Sequence, residues 1–241
     1  MQFACLSDIG LCREKNQDSY CAIENSFGDL LAIVADGIGG GKAGEVASGD
    51  VVEYFDEVFR NSGPFETTEN VVSYIKFHLN KINEKIYYKS LSDNKYFGMG
   101  TTVTGIFINK NLSVVFNCGD SRVYGVAGDD LYRLTSDDTL INQMIEKGQV
   151  TREQALNHPK RHYLVKAIGI FKKVECDAHS VKDMDYYLIC SDGIHGYVND
   201  DEIQSIVCQN FKTIEEKVEE LKDIALLKGG YDNITVILIK K

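Results

Sequence analysis

The sequence predicts an α+β fold in which antiparallel sheets stack on one another and helices lie outside. Two patterns carry that expectation. Four strand-like stretches, "TTVTGIFI", "LSVVFNC", "RVYGVAG" and "DLYRLT", follow one another between residues 101 and 135. Only a few residues join each to the next, which fits antiparallel hairpins and not the long crossovers that parallel pairs need. The helical stretches, by contrast, come in pairs and do not alternate with strands, so the chain does not read as β-α-β units.

Taken in order, residues 3–8, 19–24 and 30–35 read as short strands between turn-like segments. From Ala43 to about Arg60, Val46, Ala47, Val51, Phe55, Val58 and Phe59 form a helical stripe. After "NSGPFETT", a second helix from Asn70 to Lys89 carries Val71, Ile75, Leu79, Ile82 and Ile86 on one face. The four consecutive strands come next. Two short helical pieces, "LINQMIEKG" and "REQALNH", precede strands near 163–168, 174–181 and 185–191. Two further helices, "DDEIQSIVCQ" and "IEEKVEELKDIALL", lead to a last strand, "NITVILIKK".

With 241 residues, 44% of them hydrophobic, the chain can bury a sizeable core. Only Pro64 and Pro159 are proline, and no repeat or low-complexity run divides the sequence, so residues 1–241 are expected to form one domain. A net charge of −10 with scattered lysines and arginines argues against nucleic acid as a partner, because phosphate contacts demand a basic surface. The seven cysteines, at 5, 12, 21, 118, 176, 190 and 208, form no C-x-x-C pair and sit largely in apolar runs, as small hydrophobes do in a reducing compartment. "MQFACLSDIG" has no signal-peptide character, and no apolar stretch reaches the roughly 18 residues that span a bilayer. The expected location is the cytoplasm, with no membrane partner.

One stretch admits two readings. "LLAIVADGIGGGKAGE" (residues 30–45) contains a G-x-G-x-x-G match at Gly39, Gly41 and Gly44, the dinucleotide pattern. Three features oppose it. Asp36 would face a pyrophosphate with negative charge. The next element reads as a helix where a second parallel strand is required, and the surroundings read as antiparallel. A nucleotide P-loop fits worse, since the gap between Gly37 and Gly41-Lys42 is wrong and Ala43 stands where Ser or Thr should be. The second reading is an acid at a strand tip, and it recurs. Asp192 ends "YYLICSDG", Asp232 opens the last strand behind two glycines, Asp18 precedes a strand, and Asp120 sits in a turn between two. Any one of these reads as a turn aspartate bonding local N–H groups; five at strand ends suggest a site. Two carboxylates about 4 Å apart repel by roughly 4 kcal/mol at an effective dielectric near 20, so a converging group must protonate or take up cations. All-oxygen ligation selects hard ions, Mg²⁺ or Mn²⁺.

On these residues the chain resembles the metal-dependent Ser/Thr protein phosphatases of type 2C in their short bacterial form. The resemblance runs through "DIGLCREKNQDSY", "VADGIGGGKAGEVAS", "MGTTV", "CGDSRVYG", "HPKRHYLVKAIG", "LICSDGIHGYV" and "GGYDNITVI", in that order. It implies a four-layer α-β-β-α sandwich, two antiparallel sheets face to face with helices on both outer sides. It also implies hydrolysis of phosphoserine and phosphothreonine in proteins by a hydroxide bridging two Mn²⁺ or Mg²⁺ ions. By similarity Asp36 bridges both ions and the Gly37 carbonyl binds one of them. Asp192 and Asp232 hold the other ion, and Asp120 joins Asp192 at a third. Asp18 holds a metal-bound water with Gln17 beside it, Arg13 grips the substrate phosphate, and Asn233 steadies Asp232. The implied partners are phosphorylated proteins and the Ser/Thr kinase that makes them. The rivals are an inactive binding protein of the same fold and a nucleotide-binding regulator.

Three positions depart from the family pattern. Ile38 stands where eukaryotic members have a histidine that protonates the leaving group, so the general acid is unassigned. His195 lies near the metal motif and reads as a surface histidine. Asp138 replaces the histidine of "LT-x-DH" and His162 the usual asparagine, both around a flap-like segment at about 136–160.

Overall fold

Leucine, isoleucine and valine fill both faces of the central strands, and this places them between layers. The structure, a computed structural model, describes residues 1–38, 43–156 and 158–241. Eleven strands are described: β1 (Gln2–Asp8), β2 (Asp18–Glu24), β3 (Leu30–Ile38), β4 (Gly100–Thr101), β5 (Val103–Ile108), β6 (Ser113–Cys118), β7 (Arg122–Ala127), β8 (Asp130–Arg133), β9 (Asp177–Ser180), β10 (Tyr186–Cys190) and β11 (Ile234–Lys240). The helices are α1 (Gly44–Arg60), α2 (Thr68–Ser92), α3 (Leu140–Glu146), α4 (Arg152–Leu156), α5 (Asp192–His195), α6 (Asp200–Val207) and α7 (Ile214–Leu227), with a 3₁₀ turn at Asn94–Tyr96.

One sheet has the order β1-β11-β10-β7-β8 and the other β2-β3-β5-β6-β9, with β4 pairing the tip of β3. Every described ladder is antiparallel. Alternation along β3 explains its unbroken apolar run. Leu30, Ala32 and Val34 meet Val123, Ile189 and Ile237 of the other sheet. Leu31, Ile33 and Ala35 turn the opposite way, onto Val51 and Phe55 of α1 and Ile75 and Leu79 of α2. On the far side, Leu188, Val236 and Leu238 pack under Ile203 of α6 and Val218 and Leu221 of α7. Each such side chain contributes about 1.5–3 kcal/mol by leaving water. The four layers expected from the sequence are therefore present.

The helix starts follow from their caps. Thr67 accepts from Asn70 N to open α2, and Asn199 and Thr213 form capping boxes with Glu202 and Glu216 at α6 and α7. Two expectations need correction. Residues 163–168 form no strand: Leu164 and Ile168 make single bridges to Thr139 and Thr101, and the stretch is tied by isolated bonds such as Val165 N to Asp138 O at 2.8 Å. The segment expected at 174–181 pairs only over β9. The single-turn α5, too short for an apolar period, was not visible in the pattern.

Gly39 and Gly41 of the glycine pattern, and Lys42, lie outside the described residues. The topology rejects the nucleotide reading independently, since β3 lies antiparallel to β2 and β5 and α1 leads directly to α2. Among the described residues no helix is long and apolar enough to cross a membrane.

Candidate active site

The acids come together because strand tips from both sheets end at the same edge. Asp18 and Asp36 are opposite one another in the β2–β3 ladder. The Asp36 backbone is clamped by the "TT" of "MGTTV": Asp36 N donates to Thr102 Oγ1 (3.0 Å), while Thr101 Oγ1 (2.9 Å) and Thr102 N (2.8 Å) donate to its carbonyl. Gly37 N donates to Gln17 O at 3.0 Å, and a Cβ at Gly37 would lie 2.4 Å from Gly44 O, so only glycine lets the tip of β3 pass the start of α1. From the second sheet, β10 delivers Asp192 as the first residue of α5, and β11 begins just after Asp232. A Cβ at Gly193 would meet Asn233 O at 1.9 Å, which is why "SDG" and "GGYDN" meet so closely. Asp120 lies in the turn between β6 and β7.

Asp36, Asp120, Asp192 and Asp232 line one cleft of about 450 Å³, together with Arg13, Gln17, Gly37, Ile38 and Asn233. Asp18 is buried beside Asp36, outside the cleft wall, and its Oδ2 accepts from Ser191 Oγ at 2.8 Å. Burial first, and neighbouring acids second, disfavour the charged forms of Asp36, Asp192 and Asp120. Asp36 and Asp192 are raised well above the ordinary aspartate range, and Asp120 is raised to about 6. Asp18 is likewise pushed up to about 6, by burial against the bonds it accepts from Thr235 and Ser191.

Arg13 is half-exposed, and its Nη2 donates to Asp232 Oδ2 at 2.7 Å; that bond is the main cause of its raised pKa. Asn233 ties three segments. Its Oδ1 accepts from Gln17 N (2.8 Å), its Nδ2 donates to Ile9 O (2.9 Å) and Lys15 O (3.0 Å), and its N–H donates to Asp232 Oδ1 (2.9 Å). The Gln17 amide points to α1, donating to Glu45 Oε2 at 2.9 Å.

The donor set fits hard divalent ions: four carboxylates in one cleft with the Gly37 backbone beside them, no sulfur, and mutual repulsion that only cations or protons relieve. Among the described residues no three His, Cys, Asp or Glu side chains are already closed into a ligand cluster, and Asp232 is engaged by Arg13.

His195 is not the surface residue expected. It is partly buried behind the cleft, 2.9 Å from Asp120 O through Nε2, and burial with nearby Arg122 lowers its pKa to about 3. A neutral ring committed to a backbone carbonyl is poorly suited to general-acid work. Asp138 is buried and structural: its Oδ2 accepts from Gly119 N (3.1 Å) and its Oδ1 pairs with Lys166 (2.8 Å). His162 does reach the cleft wall, with Nε2 accepting from Arg161 Nε at 2.8 Å. Sequence reasoning missed Leu164 and Tyr197 in the wall and Ser191 behind Asp18; only the position of Ser191, next to Asp192, hinted at a role.

The comparisons agree with this geometry. The family model described as "Protein phosphatase 2C" matches residues 13–225. A serine/threonine phosphatase stp of Listeria welshimeri is 32% identical over 237 residues, covering 98% of this chain and 94% of that protein. The crystal structure of serine/threonine phosphatase Stp1 from Staphylococcus aureus superposes with a TM-score of 0.94 at 32% identity, covering 100% of this chain and 94% of that one. The catalytic domain of the serine/threonine protein phosphatase PstP, solved in complex with two manganese ions, superposes with a TM-score of 0.83 at 29% identity, covering 98% of this chain and 96% of that one.

Proposed function

We propose that this chain, which belongs to the protein phosphatase 2C family, hydrolyses phosphoserine and phosphothreonine in proteins with Mn²⁺ or Mg²⁺ held among its cleft aspartates. That it is a protein serine/threonine phosphatase follows from the family and from relatives that cover nearly all of it. The observation that carries the metal reading is the convergence of Asp36, Asp120, Asp192 and Asp232 in one cleft beside Arg13.

Asp36 and the Gly37 carbonyl would hold one ion, Asp36 with Asp192 and Asp232 a second, and Asp120 with Asp192 would offer a third position. Ions bound there would supply Lewis-acid chemistry, lowering the pKa of a water and offsetting charge on the phosphoryl oxygens. The remaining work falls to the chain. Arg13, held by Asp232, presents its free guanidinium N–H groups to the phosphoryl oxygens. Ser191 fixes one oxygen of Asp18, which holds that carboxyl in place behind Asp36. Asn233 fixes the Asp232 carboxylate through its backbone N–H and the Gln17 loop through its side chain, so ion and phosphate positions share one anchor. His162, not His195, is the imidazole in the wall of the acid cleft.

Residues 1–241 act as one catalytic domain. The segment at about 136–160, carrying α3 and α4, is the flap: Ile141, Asn142 and Ile145 line a hollow of about 590 Å³ that shares Asp120 and Asp192 with the cleft. The substrates are phosphoproteins, and the activity reverses a Ser/Thr kinase in the cytoplasm.

The test is hydrolysis of a phosphothreonine peptide and of p-nitrophenyl phosphate in EDTA, Mg²⁺ or Mn²⁺. Wild type is expected to turn over only with the ions, and Asp36→Asn to lose about a thousandfold, equivalent to roughly 4 kcal/mol of transition-state stabilisation. Equal turnover in EDTA, or an unaffected Asp36→Asn, would overturn the reading.

A further inference from the structure

The β6–β9 ladder runs through Val114↔Ser180, Val115↔His179, Phe116↔Ala178 and Asn117↔Asp177. One step further sets Cys118, the last residue of β6, opposite Cys176, which immediately precedes β9. The pair has a definite type. Val181 N donates to Ser113 O at 2.9 Å, so position 113/181 is a hydrogen-bonded pair, and alternation makes 118/176 a non-hydrogen-bonded one. In such pairs the Cα atoms are about 4.5 Å apart and the side chains approach most closely. A disulfide accepts Cα separations of about 4.4–6.8 Å. Both side chains face the same way, into the buried cluster under α2 with Phe116. No other described ladder sets two cysteines opposite one another: Cys5 faces Ile237, Cys21 faces Ile33, and Cys190 faces Val236 and Arg122.

Access differs between the two. Cys118 is fully buried, whereas Cys176 retains 8% exposure and lies in the wall of a hollow of about 750 Å³ beside Lys76, Lys172 and Lys173. That hollow is on the α2 side of the molecule and shares no lining residue with the acid cleft.

We propose that Cys118 and Cys176 are a redox-convertible dithiol that hydrogen peroxide, entering by this hollow, oxidises to a cross-strand disulfide. The Cys176 sulfur attacks one peroxide oxygen, the O–O bond breaks, and water leaves behind a sulfenic acid. The Cys118 sulfur then attacks the Cys176 sulfur, the S–S bond forms, the S–O bond breaks and a second water departs. Two thiols lose two electrons and hydrogen peroxide gains them. The bond lies at the strand end that leads into Gly119 and Asp120. It parallels an existing non-covalent clip, in which Lys166 joins Asp177 (3.0 Å) to Asp138 (2.8 Å) and Asp138 accepts from Gly119 N.

The experiment treats the full-length, fully reduced protein with hydrogen peroxide, blocks residual thiols with iodoacetamide, and maps peptides by mass. A single linkage of Cys118 to Cys176 is expected, reversed by dithiothreitol and absent in Cys176→Ala. The oxidised protein is expected to unfold at a higher urea concentration than the reduced one, because the link restricts the unfolded chain. The wild-type comparison alone suffices should the variant fold poorly. Oxidation confined to other cysteines overturns the proposal. So does a 118–176 link that lowers the urea midpoint, because the strands would then have to be distorted to join.

Discussion

Two groups of aspartates lie side by side in this molecule and are treated in opposite ways. Asp137 is matched: Arg122 grips it with Nε at 3.0 Å and Nη2 at 2.8 Å, and Arg133 pairs with it as well. Asp138, next in the chain, has Lys166 and the Gly119 N–H. Asp36 and Asp192, in the adjoining cleft, face mainly other acids, and burial with that repulsion drives their pKa values up, while burial and Asp137 raise Asp120. The same chain that supplies two arginines for one carboxylate at Asp137 leaves several nearly bare in the cleft. Countercharge is withheld where an external cation is to sit.

The sharpest way to break this comparison is to neutralise one acid of each kind and measure stability without metal. Asp137→Asn leaves two guanidinium groups short of their partner. Breaking a fully buried pair costs about 3–5 kcal/mol, and since Asp137 and Arg122 keep 12% and 18% side-chain exposure a loss of about 2–4 kcal/mol is expected. Asp36→Asn replaces a buried carboxyl whose charged form is disfavoured by burial and by its acid neighbours with a neutral amide, so in EDTA at neutral pH urea unfolding should show stability held or raised, by up to about 2 kcal/mol. Equal destabilisation by both would mean that the cleft acids are ordinary structural groups.

A smaller effect is the pH dependence. Asp18 and Asp120 move from the ordinary 3.8 to about 6 on folding. Between those values the folded protein holds more protons than the unfolded chain, so its stability is highest at the acid side and falls as pH rises through about 4 to 6. In EDTA, urea unfolding at pH 4.5 and 7.5 should differ by a few kcal/mol in favour of the lower pH, since one pKa unit corresponds to about 1.4 kcal/mol. Saturating Mn²⁺ should abolish or reverse that slope, because ions that bind only the folded state stabilise it most where the acids are ionised. A slope of the same size with and without Mn²⁺ would separate the acids from the ions.

The two groups also differ in how far the sequence revealed them. Asp36 and Asp192 were legible because each ends an apolar run and precedes glycine, a local signal of a strand tip. The β-sandwich was legible for the same reason, as period and turn length are local properties. What decides whether an acid is matched is not local. Arg122 and Asp137 are brought together by the β7–β8 hairpin, and Lys166 reaches Asp138 from a stretch that reads as a strand and is held only by isolated bridges. His195 looks like a surface residue in "SDGIHGYV", and only the packing of α5 against the Asp120 turn turns its ring to that carbonyl. The cysteine pair is hidden likewise, since its register depends on β9 joining the sheet far along the chain.

The finest test lies at the border between the groups. Asp138 belongs to the matched set through Lys166, yet its Oδ2 accepts from Gly119 N, one residue before Asp120. Asp138→Asn keeps an oxygen that can still accept from Gly119 but loses the charge that balances Lys166. Because Lys166 also pairs with Asp177 and is 29% exposed, the ammonium is not stranded, and the loss should be about 1 kcal/mol, well below that of Asp137→Asn. Asp138→Leu removes the acceptor as well and leaves a buried N–H unbonded, adding about 1–3 kcal/mol. If Asp138 serves the cleft by fixing the Asp120 turn, phosphatase turnover in Mn²⁺ should hold within about tenfold in Asp138→Asn and fall further in Asp138→Leu. Turnover that instead tracked the lost charge, falling equally in both variants, would assign Asp138 to the electrostatics of the cleft and move the border between the two groups by one residue.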